Sequence, residues 1–346
     1  MDEGYDVVVI APVDEYISYK ENFPEVRHYN LRMIDRDGMN PIRDAMLILE
    51  LIRRYRKIKP DIILHFTNKL NIYGSIAAKL AGIRKSFSVI TGLGYAFIHN
   101  GFVQEVIINM YRISSRFNQG YIFENIDDRL LFVELGITNK DKSISVKGCG
   151  VDIDYFHPFP NGQIKEKTIF TFIGRLLYDK GIREFVEAAK LLKSQADNVE
   201  FWIIGELDEE NPATVDKDEL IQWVEEDIVI YHGFIKDVRP LIAVSDCIVL
   251  PSYREAIPRA ITEGMAMGKP VITTDTAGCR EAVEPEQNGY LVPIKNPEAL
   301  LVSMSKFLNL DYDMRNQMGI NGRNKALREF DDKKIADNIV AIVETI

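Results

Sequence analysis

The sequence predicts an α/β protein made of two doubly wound parallel-sheet domains in tandem. Three observations predict it. Short apolar, β-branched runs alternate with helical patterns along almost the whole chain, the signature of βαβ units whose strands are buried on both faces. The alternation pauses once, at 148–167, "GCGVDIDYFHPFPNGQIKEK", where glycines, prolines and polar residues mark a linker. The length, 346 residues, exceeds what one core usually supports.

Taken in order, strands are expected at 5–11, 61–66, 86–91, 120–123 and 143–146, with helices at 41–57, 72–81, 102–117 and 126–135 between them. After the linker, strands are expected at 169–173, 200–204, 228–231, 247–250, 270–273 and 289–292. Three helical patterns, 297–308, 311–329 and 333–346, close the chain. The first domain is thus assigned to 1–160 and the second to 166–330, with the helix at about 331–346 packing back on the first. Ligands of doubly wound sheets bind beyond the carboxyl ends of the strands, so a cleft between the domains is the expected site. The opening "MDEG" reads as the last turn of a helix capped by Gly4. It leads to the expectation that a preceding strand and helix, about 25 residues on the scale of an ordinary βα unit, are missing.

Composition narrows the function. Residues 1–165 carry 21 Lys and Arg against 20 Asp and Glu, and the remainder carries 21 against 32, for a net charge of −10. That balance argues against a general nucleic-acid binder. Three scattered cysteines suggest a reducing cytoplasm and neither disulfides nor a zinc site. The longest uncharged stretch, 86–104, contains three glycines and reads as strand, loop and helix start, not as a membrane span.

Two stretches carry chemistry. In "REAIPRAITEGMAMGKPVITT", 254–274, Glu255 lies in the loop after a strand and Glu263 inside the following helix, with Pro258 expected in its first turn. Free N–H groups at Ile257, Arg259 and Ala260 make an anion site at that helix start. The flanking carboxylates suit sugar and ribose hydroxyls, since an ionised carboxylate accepts two hydrogen bonds from a diol. A nucleotide sugar combines all three features. Two solvated helix-end glutamates would give the same spacing. In "FTFIGRLLYDKGIREFVEAAKLLK", 170–193, a strand ends at Gly174, and Arg175 and Lys180 flank a short loop before an amphipathic helix. Two cations there suit a diphosphate leaving group, though a surface Arg/Lys pair is equally compatible. Gly278 and Gly289 allow tight turns at strand ends.

Together, "PSYREAIPRAITEGMAMGKPVITTDTAGCREAV…NGYLVP" and "GRLLYDKGIREFVEAA" resemble the donor half of the retaining nucleotide-sugar glycosyltransferases of family 4, of GT-B fold. The first half agrees: "HFTNKLNIYGSIAAKLAGI", "VITGLGYAF", "ENIDDRLLFVELGI" and "GCGVDIDYFHP" are similar to the capsule, O-antigen and bacterial N-glycan branch, which extends a sugar on a polyprenyl-diphosphate lipid. The resemblance covers almost the whole chain and implies two Rossmann-like domains. It implies that Gly174, Arg175 and Lys180 hold the donor diphosphate, Glu255 the donor hexose and Glu263 the ribose. Ala256, Ile257, Pro258 and Arg259 would meet sugar and phosphate, and Gly233, Phe234 and Ile235 the base. Lys69, Asn71, Thr91, Gly92, Gly94 and His99 would lie on the acceptor side.

The implied reaction is metal-free transfer of a hexose or N-acetylhexosamine, from UDP foremost, with retention at the anomeric carbon. The resemblance leans toward N-acetylgalactosamine or galactose-type donors. No Asp-x-Asp pair reads as a metal site; "DID" at Asp152–Asp154 falls in the linker. Many relatives place a histidine in the loop that here reads "TGLGY", and His99 comes later. Relatives also begin one strand, loop and helix earlier. Basic residues of 41–59 beside apolar helix faces suggest peripheral attachment of a cytoplasmic protein to an anionic membrane surface. The competing expectations are a truncated, non-catalytic nucleotide-binding protein and a nucleotide-sugar epimerase, which would need acid and base residues in the cleft.

Overall fold

The computed structural model describes residues 4–13, 17, 19–34, 40–94, 97, 101–159, 166–209 and 211–345. His99 and Tyr95, and the first three residues of "MDEG", lie outside the described residues. Three sheets are formed among the described residues. Strands β1 (Val8–Ala11) and β2 (Arg27–Asn30) pair in parallel. Strands β3 (Ile62–His65), β4 (Lys85–Ile90), β5 (Gly120–Phe123) and β6 (Ser143–Ser145) form a sheet in that order. The third sheet holds β7 (Thr168–Ile173), β8 (Val199–Ile204), β9 (Ile230–Tyr231), β10 (Cys247–Leu250), β11 (Val271–Thr274) and β12 (Gly289–Val292).

The chain divides into two compact units, Met1–Val89 with Ile108–Tyr121, and Ile90–Ile107 with Ile122–Ile346. In the first, the helix Pro41–Ile58 starts on the Asn40 cap, whose side chain accepts from the Ile42 and Arg43 N–H groups. It ends on Lys59 in the left-handed region. Its inner face, Leu47, Leu51 and Tyr55, packs with Leu31, Ile63, Ala77 and Ala78. A π turn, Leu70–Gly74, leads into the helix Ser75–Ala81. Beneath it His65, 3% exposed, takes a 3.0 Å hydrogen bond from or to the Tyr55 hydroxyl. Burial holds that imidazole down to about 3, so it is a neutral structural histidine. Strand β2, "RHYN", is the element the sequence pattern does not flag, because it lacks an apolar run; its register comes from β1 and from His28, which bridges Tyr19 and the Ala11 carbonyl.

The second unit contains the six-stranded sheet, parallel throughout in the order β12-β11-β10-β7-β8-β9. Counted from β7 as first strand, this is the 3-2-1-4-5-6 order of a doubly wound fold. Continuous apolar strands are buried on both faces, and a ring cluster of Phe170, Phe172, Phe185, Phe201 and Phe307 fills one of them. The linker is tied down by Arg323, which donates to the carbonyls of Phe156 and Ala266 at 2.8 and 2.7 Å. The last helix, Asp332–Thr345, begins where Asp331 bridges Val151, and runs beside residues 144–147.

One backbone contact fixes the loop after β7. Gly181 has φ +74°, and a Cβ there would lie 2.0 Å from the Pro251 carbonyl oxygen at the end of β10. Gly181→Ala is therefore expected to force the two loops apart, costing about 1–3 kcal/mol of stability, read as a lower unfolding midpoint in urea.

Candidate functional site

The strand order reverses between β7 and β10, so the loops that follow them leave toward opposite faces and open a crevice. The structure brings the two sequence-predicted motifs together there. Gly174 follows β7, and Arg175 and Lys180 lie on its loop. Pro251 follows β10, and the loop to Pro258 carries Glu255. The loops are stitched by the Tyr253 N–H, which donates to the Asp179 carbonyl at 2.9 Å, and by the Ser252 hydroxyl, at 3.2 Å from the same oxygen.

Both cations of the first loop are paired. Lys180 Nζ donates to Glu255 Oε1 at 2.5 Å, with both side chains largely buried. Arg175 Nη1 donates to Asp208 Oδ2 at 2.6 Å, in the loop after β8, with the arginine more than half exposed. An incoming anion must therefore exchange partners with carboxylates instead of meeting bare charge.

The helix Arg259–Ala266 starts beside this pair. Pro258 occupies its N-cap, one position earlier than the first turn expected from the sequence, and no side chain caps the helix. The N-terminal N–H groups thus remain available to a ligand. Ile257 and Pro258 are buried, while Arg259 is exposed and reaches Glu263 Oε1 at 3.1 Å. Glu263 is 8% exposed, and burial raises its carboxyl above the ordinary range against the opposing pull of Arg259. The start of the short helix Cys279–Ala282 closes on the same loop: Gly278 has φ +75°, and a Cβ on it would lie 1.9 Å from the Ala256 carbonyl oxygen. A side chain is excluded at that contact.

Gly233, Phe234 and Ile235 follow β9 at the same sheet edge. The Gly233 carbonyl accepts from Gly205 N–H at 2.9 Å, and Phe234 is 68% exposed. His232 is packed edge-on against Trp202, with ring centroids 4.7 Å apart.

The sequence-predicted acceptor-side residues divide. Thr91, Gly92 and Gly94 follow β4; a Cβ on Gly92 would lie 3.5 Å from that of Ala256, so this loop borders the donor-side loop. Lys69 is held by Asp44 at 3.1 Å, with Tyr73 on the other carboxylate oxygen. Asn71 is 1% exposed, and its amide donates to the Val89 carbonyl at 3.1 Å. It braces β4 from within the π turn, and its Oδ1 is buried with no hydrogen-bond partner. Asp152 and Asp154 are used locally. Asp152 accepts from the N–H groups of Asp154 and Tyr155, and Asp154 pairs with Lys333 at 2.7 Å.

Sequence reasoning missed the set that positions the 254–256 loop. Asn125 caps the helix Ile126–Glu134 and donates to the Ala256 carbonyl at 3.1 Å. Arg254 donates to the fully buried Asp128 of the same helix. Glu281 accepts from Lys147 and from the Ile126 N–H, both at 2.7 Å. The only signal for this was the quoted "ENIDDR", whose Asn-x-x-Asp pattern marks a helix cap but not its distant partners.

Residues 156–325 match the family described as glycosyl transferases group 1, and residues 1–125 match that described as glycosyl transferase 4-like. The chain belongs to the glycosyltransferases. This glycosyltransferase is 29% identical to an N,N'-diacetylbacillosaminyl-diphospho-undecaprenol alpha-1,3-N-acetylgalactosaminyltransferase of Campylobacter jejuni, over all of this chain and 92% of the relative. It is 27% identical to a UDP-Gal:alpha-D-GlcNAc-diphosphoundecaprenol alpha-1,3-galactosyltransferase of Escherichia coli, over 97% of this chain and 88% of the relative. Among solved structures, Anabaena HepE in complex with UDP and glucose superposes with a TM-score of 0.81 at 19% identity, covering 98% of this chain and 92% of that one. The glycosyltransferase has the GT-B fold.

The Arg175–Asp208 pair makes a direct prediction. Asp208→Asn removes a competitor for the exposed guanidinium, and such surface pairs are worth about 0.2–1 kcal/mol. UDP affinity measured by calorimetry is expected to rise, by no more than about 5-fold.

Proposed function

We propose that this glycosyltransferase moves a hexose or N-acetylhexosamine from a UDP-sugar to a sugar carried on a polyprenyl diphosphate, with retention at the anomeric carbon. The observation that carries the reading is the Lys180–Glu255 pair set beside the uncapped start of the helix Arg259–Ala266, at the switch point of the six-stranded sheet. The relatives named above, which act on diphospho-undecaprenol-linked sugars by their names, support the acceptor class.

On this reading the donor diphosphate lies across the helix start and takes Lys180 and Arg175 from their carboxylate partners. Release of Lys180 frees Glu255 to accept hydrogen bonds from the donor hexose. Charge that develops on the leaving diphosphate meets two side-chain cations and the helix N–H groups, which are already in place. The carbon–oxygen bond to the diphosphate breaks with its electron pair going to the leaving group. The acceptor hydroxyl attacks from the same face, and its proton passes to the departing phosphate oxygen. Glu263 takes the ribose hydroxyls, and backbone groups at Gly233–Ile235 take the base. No step calls on a metal, and transfer is expected to persist in EDTA.

The membrane-bound acceptor calls for a surface that meets lipid. No helix among the described residues is long and apolar enough to cross a membrane. The helix Pro41–Ile58 exposes Ile42, Met46 and Leu49, at 73%, 43% and 53%, on one stripe beside Arg43 and Arg53. We assign peripheral attachment to this stripe. Ile42→Glu with Leu49→Glu is expected to abolish co-sedimentation with vesicles containing phosphatidylglycerol; unchanged sedimentation would remove the assignment.

Assay of UDP-, GDP- and ADP-sugars with a short polyprenyl-diphosphate sugar, in EDTA, tests the main reading. One UDP-sugar giving an α-linked product is the expected result. A β-linked product would overturn retention, and no product from any donor would overturn the transfer reading. Arg175→Ala removes one charged hydrogen bond to the leaving group, worth about 1.5–3 kcal/mol, so kcat is expected to fall roughly 10- to 150-fold. Near-normal turnover would sink that role.

A further inference from the structure

The ends of three strands of the first series meet at one residue that neither the sequence motifs nor the donor site accounts for. Glu124 follows β5 directly. Its N–H donates to the Ile90 carbonyl at the end of β4, at 3.2 Å, and its own carbonyl accepts from the Gly148 N–H beyond β6, at 2.9 Å. Its neighbours are committed. Asn125 uses both ends of its amide, on the Asp128 N–H and on Asp128 Oδ2 and the Ala256 carbonyl. Asp128 holds Arg254. Glu124 alone is left over: it is 7% exposed, and among the described residues its carboxyl makes no hydrogen bond or ion pair.

The residue is buried, but its carboxyl oxygens are not sealed off from solvent, so a group with no protein partner there is open to one supplied by a ligand. The location says which ligand. The adjoining Asn125 side chain touches Ala256, and Gly148 lies against Ile257, where an added Cβ would come within 3.0 Å. Glu124 therefore sits between two residues that touch the 255–259 loop, at the carboxyl ends of the strands where ligands of such sheets bind. Burial first, and then the charge of Asp128, push its carboxyl up to about 7. It would be a poor partner for a cation-bound diphosphate and a good one for a neutral hydroxyl.

We infer that Glu124 contacts substrate from the side opposite the donor-phosphate loop, hydrogen-bonding a hydroxyl of the acceptor sugar and orienting it for attack. The assignment rests on the glycosyl-transfer reading above. It extends the site to the residue directly after β5, with a carbohydrate hydroxyl as ligand, and it distinguishes Glu124 from Asn125 and Asp128, which act by holding the 254–256 loop.

The test is steady-state transfer by Glu124→Gln and Glu124→Asp, with acceptor and donor varied separately, alongside UDP binding by calorimetry. The expected result is a fall of at least tenfold in kcat/KM for the acceptor in both variants, with UDP affinity within twofold of the parent. Acceptor kcat/KM within twofold of the parent would overturn the inference. So would a parallel loss of UDP affinity, which would mark a structural or donor-side role. If Glu124→Gln does not fold, Glu124→Asp decides alone; if neither binds UDP, the carboxyl belongs to the fold and the inference falls. Absence of transfer by the parent enzyme would instead bring down the glycosyl-transfer reading, and the inference with it.

Discussion

Because the strand order reverses between the adjacent parallel strands β7 and β10, the chain leaves their ends toward opposite faces of the sheet. The space between the departing loops cannot be filled by a continuing strand or by a direct turn. It is closed only at its walls, by backbone contacts such as Tyr253 N–H to Asp179 and the tight approach of Gly181 to Pro251. The positions of Lys180, Glu255 and the start of the helix Arg259–Ala266 follow from that one pairing. A ladder of buried, β-branched strands with no polar groups to spare provides the rigidity.

A second set of contacts is needed, since the loop 251–258 has no sheet partner of its own. It is gripped on one side by Gly278 and Ala277, whose carbonyl accepts from the Glu255 N–H. On the other side Asn125 and Asp128 hold Ala256 and Arg254. The carboxylate of Asp128 is wholly buried, and Arg254 largely so; loss of either partner would strand the other, which is far more costly than the pair is favourable. Loop precision is thus obtained from the same helix cap that ends β5.

Most of the fold was legible in the sequence, because parallel strands buried on both faces announce themselves as apolar runs. The strands 120–123, 247–250 and 289–292 sit where the runs place them. Strand β2 was hidden because "RHYN" is defined by its neighbour and not by its own composition. The candidate site was legible as separate motifs: Lys180 and Glu255 were both singled out, but nothing in a chain of letters says that they touch. Asp208 stands 33 positions from Arg175, and Asp128 stands 126 from Arg254. The burial of Asn71 was not legible, since it lies in a π turn, which leaves no mark distinct from an ordinary helix start. Glu124 stood in a quoted motif, and only the structure shows that three strand ends converge on it.

The carboxylates already seated on Lys180 and Arg175 bear on discrimination among anions. A small inorganic ion arriving at the crevice would have to evict Glu255 and Asp208 and could offer those carboxylates nothing in return. A ligand that joins phosphate to a polyol repays the eviction, since its hydroxyls give the displaced Glu255 a new partner. The crevice would thus be closed to abundant free phosphate by its own internal counter-ions, without any moving part.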